Sequence, residues 1–212
     1  MSPLQSQTGA TRNQTDLSQD SAQKSKLLKG IPVRIITGRF KGAKLYTVDG
    51  LSTRPTTDFN REMIFSMYPD YEALRVLDLF AGTGSFGLEA LSRGAQWVDF
   101  VEFATPAIAV LLQNIQKLKC TDQCHIYRKR VEQYLKTTRE QYDVIFLDPP
   151  YNKNLVGKCL EAIFKFKLLK TDGIVIVEHS PKEQITESRQ AQITDHKAGK
   201  ITCFTVLEAE PS

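Results

Sequence analysis

At 212 residues, with 41% hydrophobic and 25% charged side chains, the chain is long enough for one α/β domain with a sizeable core. No stretch approaches 18 apolar residues and the opening residues lack an apolar secretory core, so neither a membrane span nor a signal peptide is expected. The formal charge is only +4, but residues 24–61 carry nine basic side chains against Asp49 and Asp58, an excess that suits a polyanion. Cys120, Cys124, Cys159 and Cys203 are too few and too scattered for a disulfide framework. Cys120-x-x-x-Cys124 with His125 lacks a second ligand pair for a metal. Reduced thiols, no metal and a cytoplasmic location are the expectation.

Residues 1–25 are Gln, Ser, Thr, Asn and Asp with hardly an apolar side chain, which reads as a disordered tail. Residues 33–38 and 44–48 read as strands on either side of Arg39-Phe40-Lys41-Gly42. They form a small basic hairpin outside the main sheet, within an extension over residues 26–53. The main domain then occupies residues 54–212. Its first helix follows Arg54-Pro55, can be capped by Thr57 or Asp58, and presents Met63, Ile64 and Met67 as an apolar face.

The centre of the chain is the stretch 76–102. An apolar run, 76–80, enters Ala81-Gly82-Thr83-Gly84-Ser85-Phe86-Gly87, a helix follows, and a second run, 97–101, ends on Glu102. That order brings backbone N–H groups at a helix start to a ligand, while an acid at the next strand end can hold a ribose. Gly82, Gly84 and Gly87 fit G-x-G-x-x-G with Glu102 20 residues after Gly82, a spacing that a dinucleotide site shares. Asp78 argues otherwise: it would repel a pyrophosphate and could accept from a cationic or amine-bearing ligand.

Beyond Glu102, Pro106 opens a helix through Ala107, Val110, Leu111, Ile115 and Leu118. A strand at 125–127, a helix at 131–136, a strand at 142–147 ending at Asp148 and a helix at 155–166 come next. A strand at 174–178 and a final pair, 193–196 and 201–207 around Ala198-Gly199-Lys200, complete seven strands. The alternation predicts a mostly parallel sheet with helices on both faces and an antiparallel hairpin at its edge. Ligands then gather at the carboxyl ends of the strands, where Gly82, Glu102 and Asp148 fall.

Asp148-Pro149-Pro150-Tyr151 is the second chemical motif. The prolines stiffen the loop and leave carbonyls without local N–H partners. The Tyr151 ring can stack on a planar nucleobase, while Asp148 and the Pro149 carbonyl accept from its exocyclic amine. Alignment and electrostatics then carry the rate gain. Hydride chemistry has no need of this motif, and the two together favour S-adenosylmethionine over a dinucleotide. His125 and His196 read as surface or packing residues. His179 lies on the rim that could face the site, and Glu178, at the same strand end, could help shape it.

These residues resemble a known family. Residues 34–45, Arg54-Pro55-Thr56-Thr57-Asp58, Arg61-Glu62, residues 78–94 and Asp148-Pro149-Pro150-Tyr151 are similar to the bacterial RsmD family, over about residues 33–207. Its members methylate guanine N2 in small-subunit (16S) ribosomal RNA. The resemblance implies a Rossmann-like class I methyltransferase fold, a monomer, and as substrate the guanine numbered 966 in an assembled or partly assembled 30S particle. It also implies that Asp78, Phe80, Gly82 and Gly84 line the cofactor, that Glu102 takes the ribose hydroxyls and that Arg61 lies near the cofactor entrance. Asp148, Pro149 and Tyr151 then hold the flipped guanine, and Arg34, Arg39, Lys41, Lys44 and Arg54 meet RNA phosphates. Arg130 departs from the pattern, standing where the family has an Asp that contacts the adenine amine; an Arg cannot accept from that group. Two alternatives remain: an adenine N6-methyltransferase acting on DNA or RNA, and a non-enzymatic RNA-binding assembly factor with a weakened cofactor pocket.

Overall fold

The computed structural model describes residues 33–48, 58–68, 70–150, 155–185 and 191–209. Arg54, Tyr151 and the expected tail over residues 1–25 lie outside them. The elements run α1 (Asp58–Met67), β1 (Arg75–Leu79), α2 (Ser85–Ser92), β2 (Trp97–Glu102), α3 (Thr105–Leu118), β3 (Cys124–Arg128) and α4 (Val131–Thr137). They continue with β4 (Tyr142–Leu147), α5 (Leu155–Lys165), β5 (Leu169–His179), β6 (Ala191–Ala198) and β7 (Cys203–Ala209). The seven strands form one sheet in the order β3-β2-β1-β4-β5-β7-β6. The first five are parallel, and β7 is antiparallel to both β5 and β6. This is the α/β Rossmann-like sheet that the alternating pattern predicts.

Strand geometry sends successive side chains to opposite faces, and the core divides accordingly. Val76, Val98, Phe100, Val144, Phe146, Ile174 and Ile176 pack with Ile64 and Phe65 of α1, Leu88 and Leu91 of α2, and Leu111 and Ile115 of α3. Leu77, Leu79, Val101, Ile145, Leu147, Val175 and Val177 turn the other way, onto Val131 and Leu135 of α4 and Val156, Leu160 and Ile163 of α5. Burial on both faces explains why these strands read as continuous apolar runs rather than as alternating ones.

The N-terminal hairpin lies outside the sheet, and its form differs from the expected pair of strands. Its only ladder pair among the described residues is an antiparallel bridge, Arg34 with Lys44. Ile35 and Leu45 are buried in the same core cluster as α1, α2 and α3. Much of the remaining backbone bonds to helices. Ile36 and Thr37 donate their N–H groups to the Glu89 carboxylate, Arg39 donates to the Ser92 carbonyl, and Phe40 donates to the Ser92 hydroxyl. Gly38 comes so close that a Cβ there would lie 1.8 Å from the Ser92 carbonyl oxygen, and its φ of 80° is one that glycine tolerates.

Strand β5 starts at Leu169, five residues before the apolar run of 174–178. Lys170, Thr171 and Asp172 are exposed in this early part, and pairing with β4 shifts register between Tyr142 and Val144. Lys170 donates to Asp143 at 2.7 Å across that irregularity. Strand β7 begins at Cys203 rather than Ile201, whose side chain is exposed in the preceding turn.

Candidate active site

Strands β1 and β4 are parallel neighbours, with Leu79 opposite Leu147, so the glycine turn and Asp148-Pro149-Pro150 leave the sheet side by side. Strand β2 ends beside them on Glu102. Three acids, Asp78, Glu102 and Asp148, thus gather at the carboxyl ends of three adjacent strands. Phe80 takes a left-handed φ of 60°, a conformation costly for a side chain with a Cβ, as the strand bends into the turn.

The glycines of the turn have different tasks. A Cβ at Gly84, whose φ is 83°, would lie 2.3 Å from Leu111 Cδ1, and one at Gly87 would lie 2.3 Å from the Phe100 ring. Both glycines let α2 sit close on its neighbours. A Cβ at Gly82 would meet almost nothing, so its backbone faces open space where a ligand can approach.

Asp78 is buried and accepts the Gly87 N–H at 3.0 Å. Burial pushes its carboxyl up to about 8, against the pull of that N–H, and the negative charges of Asp148 and Glu102 add to the rise. Glu102 is anchored by backbone: one oxygen accepts Gly82 N–H at 2.9 Å, and the other accepts Phe103 N–H at 2.7 Å and Ala104 N–H at 2.8 Å. A cleft of about 30 Å³ is lined by Arg61, Asp78, Phe80, Ser85, Phe146 and Asp148 among others. It has room for one small polar group, so a larger ligand can dip only one end into it. Phe86 stacks on Phe146 with centroids 3.9 Å apart and forms one wall.

Beyond Glu102, Phe103 is 51% exposed, and the guanidinium of Arg130, which precedes the first turn of α4, lies 4.7 Å from its ring centre. The rim at this point therefore offers a flat ring and a cation instead of the second acid that the resemblance leads one to expect. Arg34, Arg39, Lys41 and Lys44 are all exposed on the hairpin. Arg39 stacks on Phe40, 4.5 Å from its ring centre, and donates to Gln123.

His179 does not face this site. It is buried on the opposite sheet face, where Nδ1 meets the Ser180 and Glu183 carbonyls and Nε2 meets the Thr205 hydroxyl at 2.9 Å. Burial keeps its pKa below the ordinary histidine value, so it is a neutral packing residue. The strand-end position suggested the rim, but residue 179 has the parity of Val175 and Val177, which sends its ring the other way. Residues that sequence reasoning passed over are Glu89, Ser92 and Asn114, which hold the hairpin. Asn114 carries a legible sign, since it falls on the buried stripe of Ala107, Leu111 and Leu118.

The chain from residue 33 to residue 207 matches the family model described as Conserved hypothetical protein 95. The chain belongs to this family. Relatives include ribosomal RNA small subunit methyltransferase D of Haemophilus influenzae, 34% identical over 80% of this chain and 91% of the relative. Its counterpart of the same name in Escherichia coli K12 is 31% identical over 69% of this chain and 74% of the relative. The solved structure of yhhF from Escherichia coli superposes with a TM-score of 0.76 at 25% identity, covering 85% of this chain and 99% of that one. These likenesses make the protein a class I methyltransferase related to RsmD-like enzymes, the class that uses S-adenosylmethionine.

The residues present fit that cofactor. It is cationic and carries a ribose diol; the strand ends offer three acids, one of them a backbone-anchored carboxylate, and an open glycine face. A pyrophosphate would meet the same acids unfavourably. Among the described residues, no helix is long and apolar enough to cross a membrane.

Proposed function

We propose that the protein methylates the exocyclic N2 of a guanine in small-subunit ribosomal RNA, the loop guanine 966 of an assembled or partly assembled 30S particle. The observation that carries this reading is Asp148-Pro149-Pro150 leaving β4 directly beside Asp78 and the glycine turn. The names of the relatives, small-subunit rRNA methyltransferases, support the choice of RNA.

S-adenosylmethionine, when bound, supplies an electrophilic methyl group on a sulfonium. Asp78 and the Gly82–Gly84 turn would hold its methionine end and Glu102 would take the ribose hydroxyls, with Phe80 and the buried Arg61 lining the cleft beside them. Asp148 and the Pro149 carbonyl accept the N2 hydrogens of the guanine and so aim the nitrogen lone pair. As positive charge develops on that nitrogen, both acceptors stabilise it. Tyr151 stacks on the base. The exposed cations of the hairpin, with Arg54, contact RNA phosphates. A loop base costs less to unstack than a paired one.

Methyl transfer from labelled cofactor onto assembly-stage 30S particles, naked rRNA and duplex DNA, followed by nucleoside analysis, tests this. N2-methylguanosine formed on the particles is the expected product; N6-methyladenine would overturn the assignment. Asp148→Ala should reduce turnover to background and leave cofactor affinity within about threefold, a change under 1 kcal/mol. Loss of cofactor binding by calorimetry would refute that division of roles.

A further inference from the structure

Asn114 lies in the middle of α3, fully buried, where the hairpin, the helix and the glycine turn meet. Its Oδ1 accepts the Tyr46 N–H at 2.7 Å. Its Nδ2 donates to the Tyr46 carbonyl at 3.1 Å and to the Thr83 carbonyl at 3.0 Å. The neighbours dictate the orientation of this amide: one N–H needs an acceptor and two carbonyls need donors, and the flipped amide would fail all three. Both amide hydrogens are therefore committed, one to each side of the junction.

The two sides matter differently. Thr83 belongs to the glycine turn, and Leu111, one helical turn before Asn114, packs against the next residue, Gly84. The side chains of α3 thus brace the turn at two consecutive positions. Tyr46 belongs to the outer arm of the hairpin. Its ring is 49% exposed, Lys117 Nζ lies 4.5 Å from the ring centre, and the same Lys117 donates to the Lys44 carbonyl. A half-exposed aromatic ring among cations is a surface on which a nucleobase can stack.

We propose that Asn114 is a positioning residue that couples RNA docking on the hairpin to cofactor binding at the glycine turn. The inference rests on the reading above, in which the hairpin meets RNA and the turn meets the cofactor. Tyr46 cannot shift without pulling on an amide that also holds Thr83, and Asn114 cannot follow it without giving up its bond to the half-buried Thr83 carbonyl. The junction thus favours both ends engaged or both released. A ligand that secures the engaged form at one end tightens binding at the other, and the effect is reciprocal.

The test uses the full chain, labelled S-adenosylhomocysteine and assembly-stage 30S particles. Equilibrium dialysis gives the affinity for S-adenosylhomocysteine with and without saturating particles, for the wild type and for Asn114→Ala. In the wild type the particles should tighten binding about fivefold or more. In Asn114→Ala that ratio should fall to about one, whatever the individual affinities; a residue that only staples the fold would change the affinities and leave the ratio intact. A wild-type ratio of one with both ligands bound, or a variant that keeps the wild-type ratio, overturns the coupling and leaves the proposed function standing. Particles that fail to bind the wild type at all overturn both.

Should Asn114→Ala fail to fold, amide hydrogen exchange in the wild type gives an independent reading. Saturating S-adenosylhomocysteine should slow exchange of the Tyr46 amide several-fold, although that amide belongs to the hairpin. Unchanged exchange at Tyr46 overturns the proposal.

Discussion

Burial holds the Asp78 carboxyl at about 8, well above an ordinary aspartate, so without a ligand the neutral acid is favoured at neutral pH. A raised folded-state pKa contributes stability that is complete at low pH and is lost as pH rises towards 8. A cationic ligand reverses the preference, because it interacts favourably only with the ionised form. Cofactor affinity should therefore climb as pH rises towards 8, by up to about tenfold per pH unit for one released proton. Calorimetry in buffers of different ionisation enthalpy should show that proton leaving. Asp78→Asn should flatten the profile; an unchanged profile in this variant would assign the titration to another group. Asp78 was legible in the sequence because a strand-end acid before a glycine turn has few structural excuses. Glu89 and Asn114 were harder to read, since a polar residue within a helix ordinarily faces water, and their places on buried helix faces were the one sign that marked them.

At the scale of elements, legibility followed the continuity of the apolar run. Strand β4 has the predicted bounds, 142–147, because its run 144–147, buried on both faces, stops at Asp148 and Tyr142 is buried ahead of it. The start of β5 was hidden by Lys170-Thr171-Asp172, which read as a loop yet extend the strand. The hairpin kept so little ladder because the N–H groups of Ile36, Thr37, Arg39 and Phe40 go to Glu89 and Ser92, and no local pattern announces such distant acceptors. A comparable polar knot ties the amino ends of three strands. Asp99 of β2 accepts from Trp97 Nε1 and from the Tyr142 hydroxyl of β4, both at 2.8 Å, and from Arg75 of β1 at 3.0 Å. Burial, with the Asp99 charge adding, pushes the Tyr142 hydroxyl far above its usual range, so it remains a donor. Asp99→Ala strands these donors and should lower stability by about 3 kcal/mol. Urea denaturation gives that figure. Cofactor affinity measured well below the transition should be unaltered, because the ligand site lies at the other ends of the same strands; a loss of affinity equal to the loss of stability would contradict this separation.

For the molecule as a whole, the sheet sorts chemistry from anchorage. The acids and glycines of the candidate site leave the carboxyl ends of β1, β2 and β4, while the exposed cations ride on a hairpin clamped to α2 and α3. Binding to RNA and turnover should then be separable by mutation. Each phosphate that the hairpin neutralises releases condensed counterions, contributing about −0.7 to −0.9 to the slope of log affinity against log salt. Lys41, exposed in the hairpin turn, makes Lys41→Glu a sharp probe, since the change removes one cation and adds an anion without touching the core. The variant should bind assembly-stage 30S particles more weakly at low salt, with a slope shallower by about one, so that its affinity approaches the wild type as salt rises. With particles in excess, kcat should stay near the wild-type value while KM rises, because the proposed role of Lys41 is docking and not the aim of the base. An unchanged slope would remove the hairpin turn from the RNA path, and a fall in kcat at saturating particles would mean that the hairpin also shapes the chemical step.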